Sequence, residues 1–83
     1  MLLREVGLTE NLNCINPGEC ARVGELLISG SMRQRLLDIG LTSGTRVECV
    51  GKSPSGDPKA FLIRGAVIAI RSEDTEKILI KKQ

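Results

Sequence analysis

MRQRLLDIGLTSGTRVECVGKSPSGDP, residues 32–58, sets the frame of this chain. Ser31 and Gln34 stand just ahead of and inside it at capping-box spacing, which predicts a helix start with two orphan N–H groups satisfied reciprocally. Met32, Leu36 and Ile39 then recur at i, i+4 and i+7, one apolar stripe on a helix. Gly40 follows as the left-handed residue that ends it, and Leu41 is placed to touch Leu36 in a Schellman stop. A helix of two turns is unstable alone, so it must dock on something larger. Thr42 to Gly44 is a turn. Thr45 to Lys52 is a strand with Val47 and Cys49 on one face and Arg46, Glu48 and Lys52 on the other. Ser53 to Pro58, with two prolines and Gly56, is a strong break.

The flanks add strands rather than helices. Glu19 to Ile28 alternates with Ala21, Val23 and Leu27 on one face and Cys20, Arg22, Gly24, Leu26 and Ile28 on the other, and Gly24 inside it predicts a bulge. A phase slip at that bulge brings Val23 and Leu26 to the same side. Lys59 to Arg64 and Ala66 to Arg71 form a hairpin about Gly65. Ser72 to Lys77 reads as a short helical turn with acidic residues at its start, and Ile78 to Lys81 as a last strand. Asn13, Asn16, Pro17 and Gly18 mark the turn before the first strand. Met1 to Asn11 is an N-terminal extension whose Leu2, Leu3, Val6 and Leu8 suit a strand or a helix equally. Residues 12–83 are then one domain, mainly β. The pattern gives about five short strands in an SH3-like small β-barrel, with one short α-helix inserted after the first strand, because closure removes sheet edges.

Composition narrows the function. A chain of 83 residues makes one small domain with a thin core. The net charge of +2 comes from interspersed charges, with no basic stripe of the kind that tracks nucleic acid. Phe61 is the only aromatic, which argues against base stacking and against a groove for proline-rich peptides. Met1-Leu2-Leu3 runs at once into Arg4 and Glu5, so no signal peptide is expected, and three cysteines without one fit the reducing cytoplasm. The longest apolar run, Ala66 to Ile70, is strand-sized and far below the roughly 20 residues of a membrane span.

Chemistry is sparse. The chain has no histidine, which removes Ser-His-Asp and Cys-His catalysis and the commonest metal ligand. Five residues separate Cys14 from Cys20, wider than a zinc knuckle, and Cys49 lies on an inward strand face. Asp38 ends the helix, and Asp57 is expected to cap its own turn. Phosphate-binding glycine patterns are missing. The expectation is a protein that is not an enzyme, with no metal ligand assigned. Arg33 and Arg35 flank the helix stripe. Leu37 points away from it, so either the helix is buried over a wide arc or Leu37 is an apolar anchor for a partner. Arg33, Arg35, Leu37 and Leu41 are the candidate partner-binding residues.

Taken in order, Arg35-Leu36, Asp38-Ile39-Gly40-Leu41, Gly44-Thr45, Gly56-Asp57-Pro58, Arg64-Gly65 and Ile68-Ala69-Ile70-Arg71 resemble the FeoA family. The resemblance runs from about Leu12 to Ile80. It implies an SH3-like barrel and a cytoplasmic accessory protein of ferrous iron uptake. Its implied partner is the cytoplasmic part of the FeoB membrane transporter, with neither nucleic acid nor membrane insertion, and a homodimer is compatible with it. It also implies a weakly bound transition metal ion as the one cofactor to consider. The same domain type resembles the C-terminal module of iron-dependent repressors, so a metal-sensing module is the alternative reading.

Overall fold

Gly40 ends helix α1 (Gly30–Asp38) at φ 92°, in the left-handed region that the stop requires. The Leu41 N–H donates to the Leu36 carbonyl at 2.9 Å and the Gly40 N–H to the Leu37 carbonyl at 3.0 Å. That pair of bonds is a Schellman motif, and Leu36 and Leu41 are both fully buried beneath it. The start of the helix differs from expectation. It begins at Gly30 with Ser29 as the cap, and Ser29 makes no side-chain capping bond. The helix therefore starts two residues early for a Ser31–Gln34 box, and Gln34 instead donates to Asp38 Oδ1 one turn on, at 2.8 Å.

The computed structural model describes residues 10–82, and its remaining elements are strands apart from two short turns of helix. These are β1 (Glu10–Asn11), a 3-10 turn (Leu12–Cys14), β2 (Cys20–Leu26), β3 (Arg46–Lys52), β4 (Lys59–Ile63), β5 (Ala66–Ile70), α2 (Ser72–Thr75) and β6 (Ile78–Lys82). All pairings are antiparallel, in the order β1-β6-β2-β3-β4-β5. The β2 register shifts between Val23 and Glu25, which is the bulge that Gly24 predicts. Ala21 and Val23 face inward before it and Ile28 beyond it, while Leu27 is turned out to solvent. Val47 and Cys49 are buried on β3 as their alternation requires. Arg64 (φ 48°) and Gly65 (φ 84°) make a two-residue turn with both central residues left-handed, the backbone twist that suits a tight hairpin.

The core gathers Leu36, Leu41, Val47, Phe61, Ile78 and Ile80 from α1, the turn after it and three strands, with Met32 and Ile39 packed against it. The helical stripe is thus the docking face.

Two expectations need correction. Among the described residues there are six strands rather than about five, because Glu10 and Asn11, at the end of the expected extension, pair with Ile80 and Leu79. The rest of that extension, residues 1–9, lies outside the described residues. The sheet is also not closed by a ladder: β1 and β5 are its two ends. Closure comes from side chains. Lys59, on the inward face of β4, buries its stem and donates from Nζ to the carbonyls of Asn13 (2.7 Å) and Ile15 (2.9 Å), just past β1. Thr75 of α2 donates to Asn13 Oδ1 at 3.2 Å. These bonds tie the segment just past β1 to β4 and α2 and leave β5 without a ladder partner on its outer side among the described residues.

Candidate functional site

Four residues around α1 are the sequence's candidates, and the fold separates them. Leu41 is 0 % exposed. Its side chain is the buried half of the Schellman contact, so it offers no surface to a partner, which corrects the sequence assignment. Arg33 is exposed, but its guanidinium turns back and donates to the carbonyls of Leu26 (3.1 Å) and Ile28 (3.4 Å). It ties the end of β2 to the first turn of the helix. Arg35 is exposed in the last turn, where a cation complements the negative end of the helix dipole. Leu37 is half-buried and, unlike Met32 and Ile39, is not packed against the core cluster.

The connection after the helix is held rigid from three sides. Arg64 Nε donates to the Gly40 carbonyl at 2.9 Å, and Thr45 Oγ1 reaches the same oxygen at 3.2 Å. Arg22 donates to the Gly44 carbonyl at 2.8 Å, and the Gly44 N–H bonds the Val23 carbonyl at 2.7 Å. A Cβ at Gly40 would sit 2.6 Å from Arg64 Cδ, so glycine there serves the clamp as well as the backbone. Arg35 and Leu37 therefore project from a short helix whose two ends are both fixed.

The thiols do not converge. Cys14 is exposed and Cys49 buried. Cys20 is half-buried on β2 opposite Glu48, and Arg46 donates to its sulfur at 2.9 Å. A guanidinium in that position opposes a second cation there. Among the described residues no group of three or more His, Cys, Asp or Glu side chains is placed to hold a metal ion. The residues present do not fit a transition-metal site. Asp57 acts away from its own turn: Oδ1 accepts from the Ser72 N–H at 2.8 Å and Oδ2 from Ser72 Oγ at 3.3 Å, at the start of α2. Its own turn is tied by Ser53 and Ser55, whose hydroxyls donate to the Asp57 carbonyl.

Lys59 is the residue that sequence reasoning missed. Its signal was present, since it shares the i, i+2, i+4 face of β4 with Phe61 and Ile63. A lysine in the buried phase of a strand needs carbonyl partners.

Among the described residues no helix is long and apolar enough to cross a membrane. No curated protein matches the sequence. The chain is similar to the solution structure of FeoA protein from Chlorobium tepidum, at 26 % identity and a TM-score of 0.82, over 88 % of this chain and 70 % of that one. It is similar to iron(II) transport protein A from Clostridium thermocellum, at 29 % identity and a TM-score of 0.79, over 88 % of this chain. It spans 45 % of the length of that protein. It shares the fold of Stenotrophomonas maltophilia FeoA complexed with zinc, described as a prokaryotic SH3 domain protein, at 19 % identity, a TM-score of 0.76 and coverage of 88 % and 91 %. The small barrel-like sheet is thus SH3-like, and since the FeoA domain matches residues 10–82, nearly the whole chain, the protein belongs to the FeoA family, associated with ferrous iron transport.

Proposed function

We propose that this protein is a cytoplasmic accessory of ferrous iron uptake that binds the cytoplasmic part of a FeoB-type transporter and modulates it. The observation that carries this reading is the FeoA domain over residues 10–82. The contact surface is the outward side of α1, with Leu37 as apolar anchor and Arg35 beside it. Both ends of that helix are pinned, so presenting the surface costs little ordering entropy. Leu37→Asp and Arg35→Glu test it in a pull-down on the transporter and in ferrous iron uptake by cells lacking the wild-type protein. Loss of binding with an unchanged melting temperature is the expected result, and wild-type binding by both variants removes this surface. Arg33→Glu is a poorer probe, because it also releases the carbonyls of Leu26 and Ile28.

A metal-sensing module is the second reading. It is favoured by likeness of fold alone to a manganese-dependent transcriptional repressor, at 16 % identity and a TM-score of 0.75. Anaerobic calorimetry of the reduced protein with Fe(II) and Mn(II) tests it, and the absence of binding heat would exclude tight sensing.

A further inference from the structure

Among the described residues the β5 edge is a sheet end without protection. Ala66-Val67-Ile68-Ala69-Ile70 is five residues long, unbroken in register, and free of charge and proline. Natural edges are blunted by lysine, proline, bulges or shortness, and β5 has none of these. The hairpin fixes which backbone groups are free. Ile63 and Ala66 close a two-residue turn and form a hydrogen-bonded pair, so Phe61 with Ile68 and Lys59 with Ile70 are hydrogen-bonded as well. The N–H and C=O groups of Val67 and Ala69 therefore point away from β4. Among the described residues β5 has no ladder partner on that side.

We propose that two copies of this chain join through β5, antiparallel about a two-fold axis, into one continuous sheet. The strand is complementary to itself. With Val67 opposite Ala69 of the partner subunit, and Ala69 opposite Val67 of the partner subunit, all four free groups on each strand are satisfied and none is left over. The axis passes at Ile68, where the two strands meet in a non-hydrogen-bonded pair. A large side chain then faces a small one across the seam. Val67, 65 % exposed in the single copy, is partly covered, and the outer face of Leu62, Val67 and Ala69 becomes one apolar band across both copies. An isologous contact of this kind closes on itself and stops at two subunits. It is also small, which makes it weak, with dissociation in the range of about 0.1–1 mM.

Sedimentation equilibrium of the full chain up to roughly 1 mM, with amide exchange read at Val67 and Ala69, tests this. The expected result is a mass that rises toward two copies, with protection of those two amides growing with concentration. Val67→Pro removes only an outward donor and so spares the β4–β5 ladder. Each interface loses two of its four bonds, and dissociation increases at least about tenfold. Val67→Lys, which keeps the backbone donor and adds edge charge, does the same if the proline variant fails to fold. Val67→Thr dimerises as the wild type does. The proposal is overturned by a monomer at the highest concentration, by species beyond two copies, by protection independent of concentration, or by wild-type association in Val67→Lys.

Discussion

The two ends of this sheet solve the edge problem in opposite ways. β1 is two residues long, polar, and turns at once into the 3-10 segment that Lys59 and Thr75 tie down. β5 is five apolar residues with the backbone groups of Val67 and Ala69 unpaired among the described residues. One edge is shortened and bolted, the other left long and smooth. The difference shows that closure of a small barrel and protection of its edges are separable. Side chains complete the core at the β1 end, and they do nothing for the free ladder of β5.

The sharpest way to break the contrast is to unbolt the protected end. Lys59→Met keeps the buried stem but removes two hydrogen bonds from a charged donor and strands the carbonyls of Asn13 and Ile15. The expected loss is about 2–4 kcal/mol, since groups left buried without a partner carry the full cost of desolvation. In a domain of this size that lowers the melting temperature by about 10 °C or more, measurable by circular dichroism. Exchange at Asn11 and Leu79 should rise more than exchange in β4 and β5. Equal loosening of both edges would mean that Lys59 supports the whole core and not the β1 end.

A change at the other end tests the hairpin itself. Gly65→Ala puts a Cβ on a residue at φ 84°, where the left-handed conformation costs about 1–2 kcal/mol. Open space surrounds that position, so backbone strain is the whole effect. Denaturant unfolding reads the loss, and no change would mean that the turn relaxes to another type.

Local signals carried most of this fold. Gly40 with Leu41, the bulge at Gly24 and the turn at Gly65 each require particular residues at particular offsets, and each was legible in the sequence. The misses turn on contacts and elements that periodicity and turn residues do not mark. The helix cap lay two residues away, at Ser29, where Arg33 reaches back to β2. Asp57 looked like a self-capping turn residue, yet it serves Ser72 of α2, fifteen positions on. β1 was hidden because two residues have no periodicity. Of the candidate surface, Arg35 and Leu37 keep an outward placement, whereas Leu41 was claimed by the very motif that made it recognisable.

Asp57→Ala probes the protected side more gently. It removes the acceptor at the start of α2, a capping loss of about 1 kcal/mol, read by thermal unfolding. Asp57→Ser should recover part of it. If α2 is only a connector, its loss leaves β1 pairing intact, and exchange at Asn11 stays slow while exchange at Thr75 quickens.

Val67→Lys is expected to have the smallest effect on the fold. The side chain is 65 % exposed and its backbone groups face away from β4, so stability should move by no more than about 0.5 kcal/mol. A lysine at that point is nonetheless the device that natural edges use against pairing. The variant therefore separates what the two edges do. If β5 is free because the fold does not need it covered, melting is unchanged in dilute solution while self-association falls. A clear drop in dilute stability would mean that Val67 already packs on something within a single copy, and the two edges would then differ in length rather than in kind.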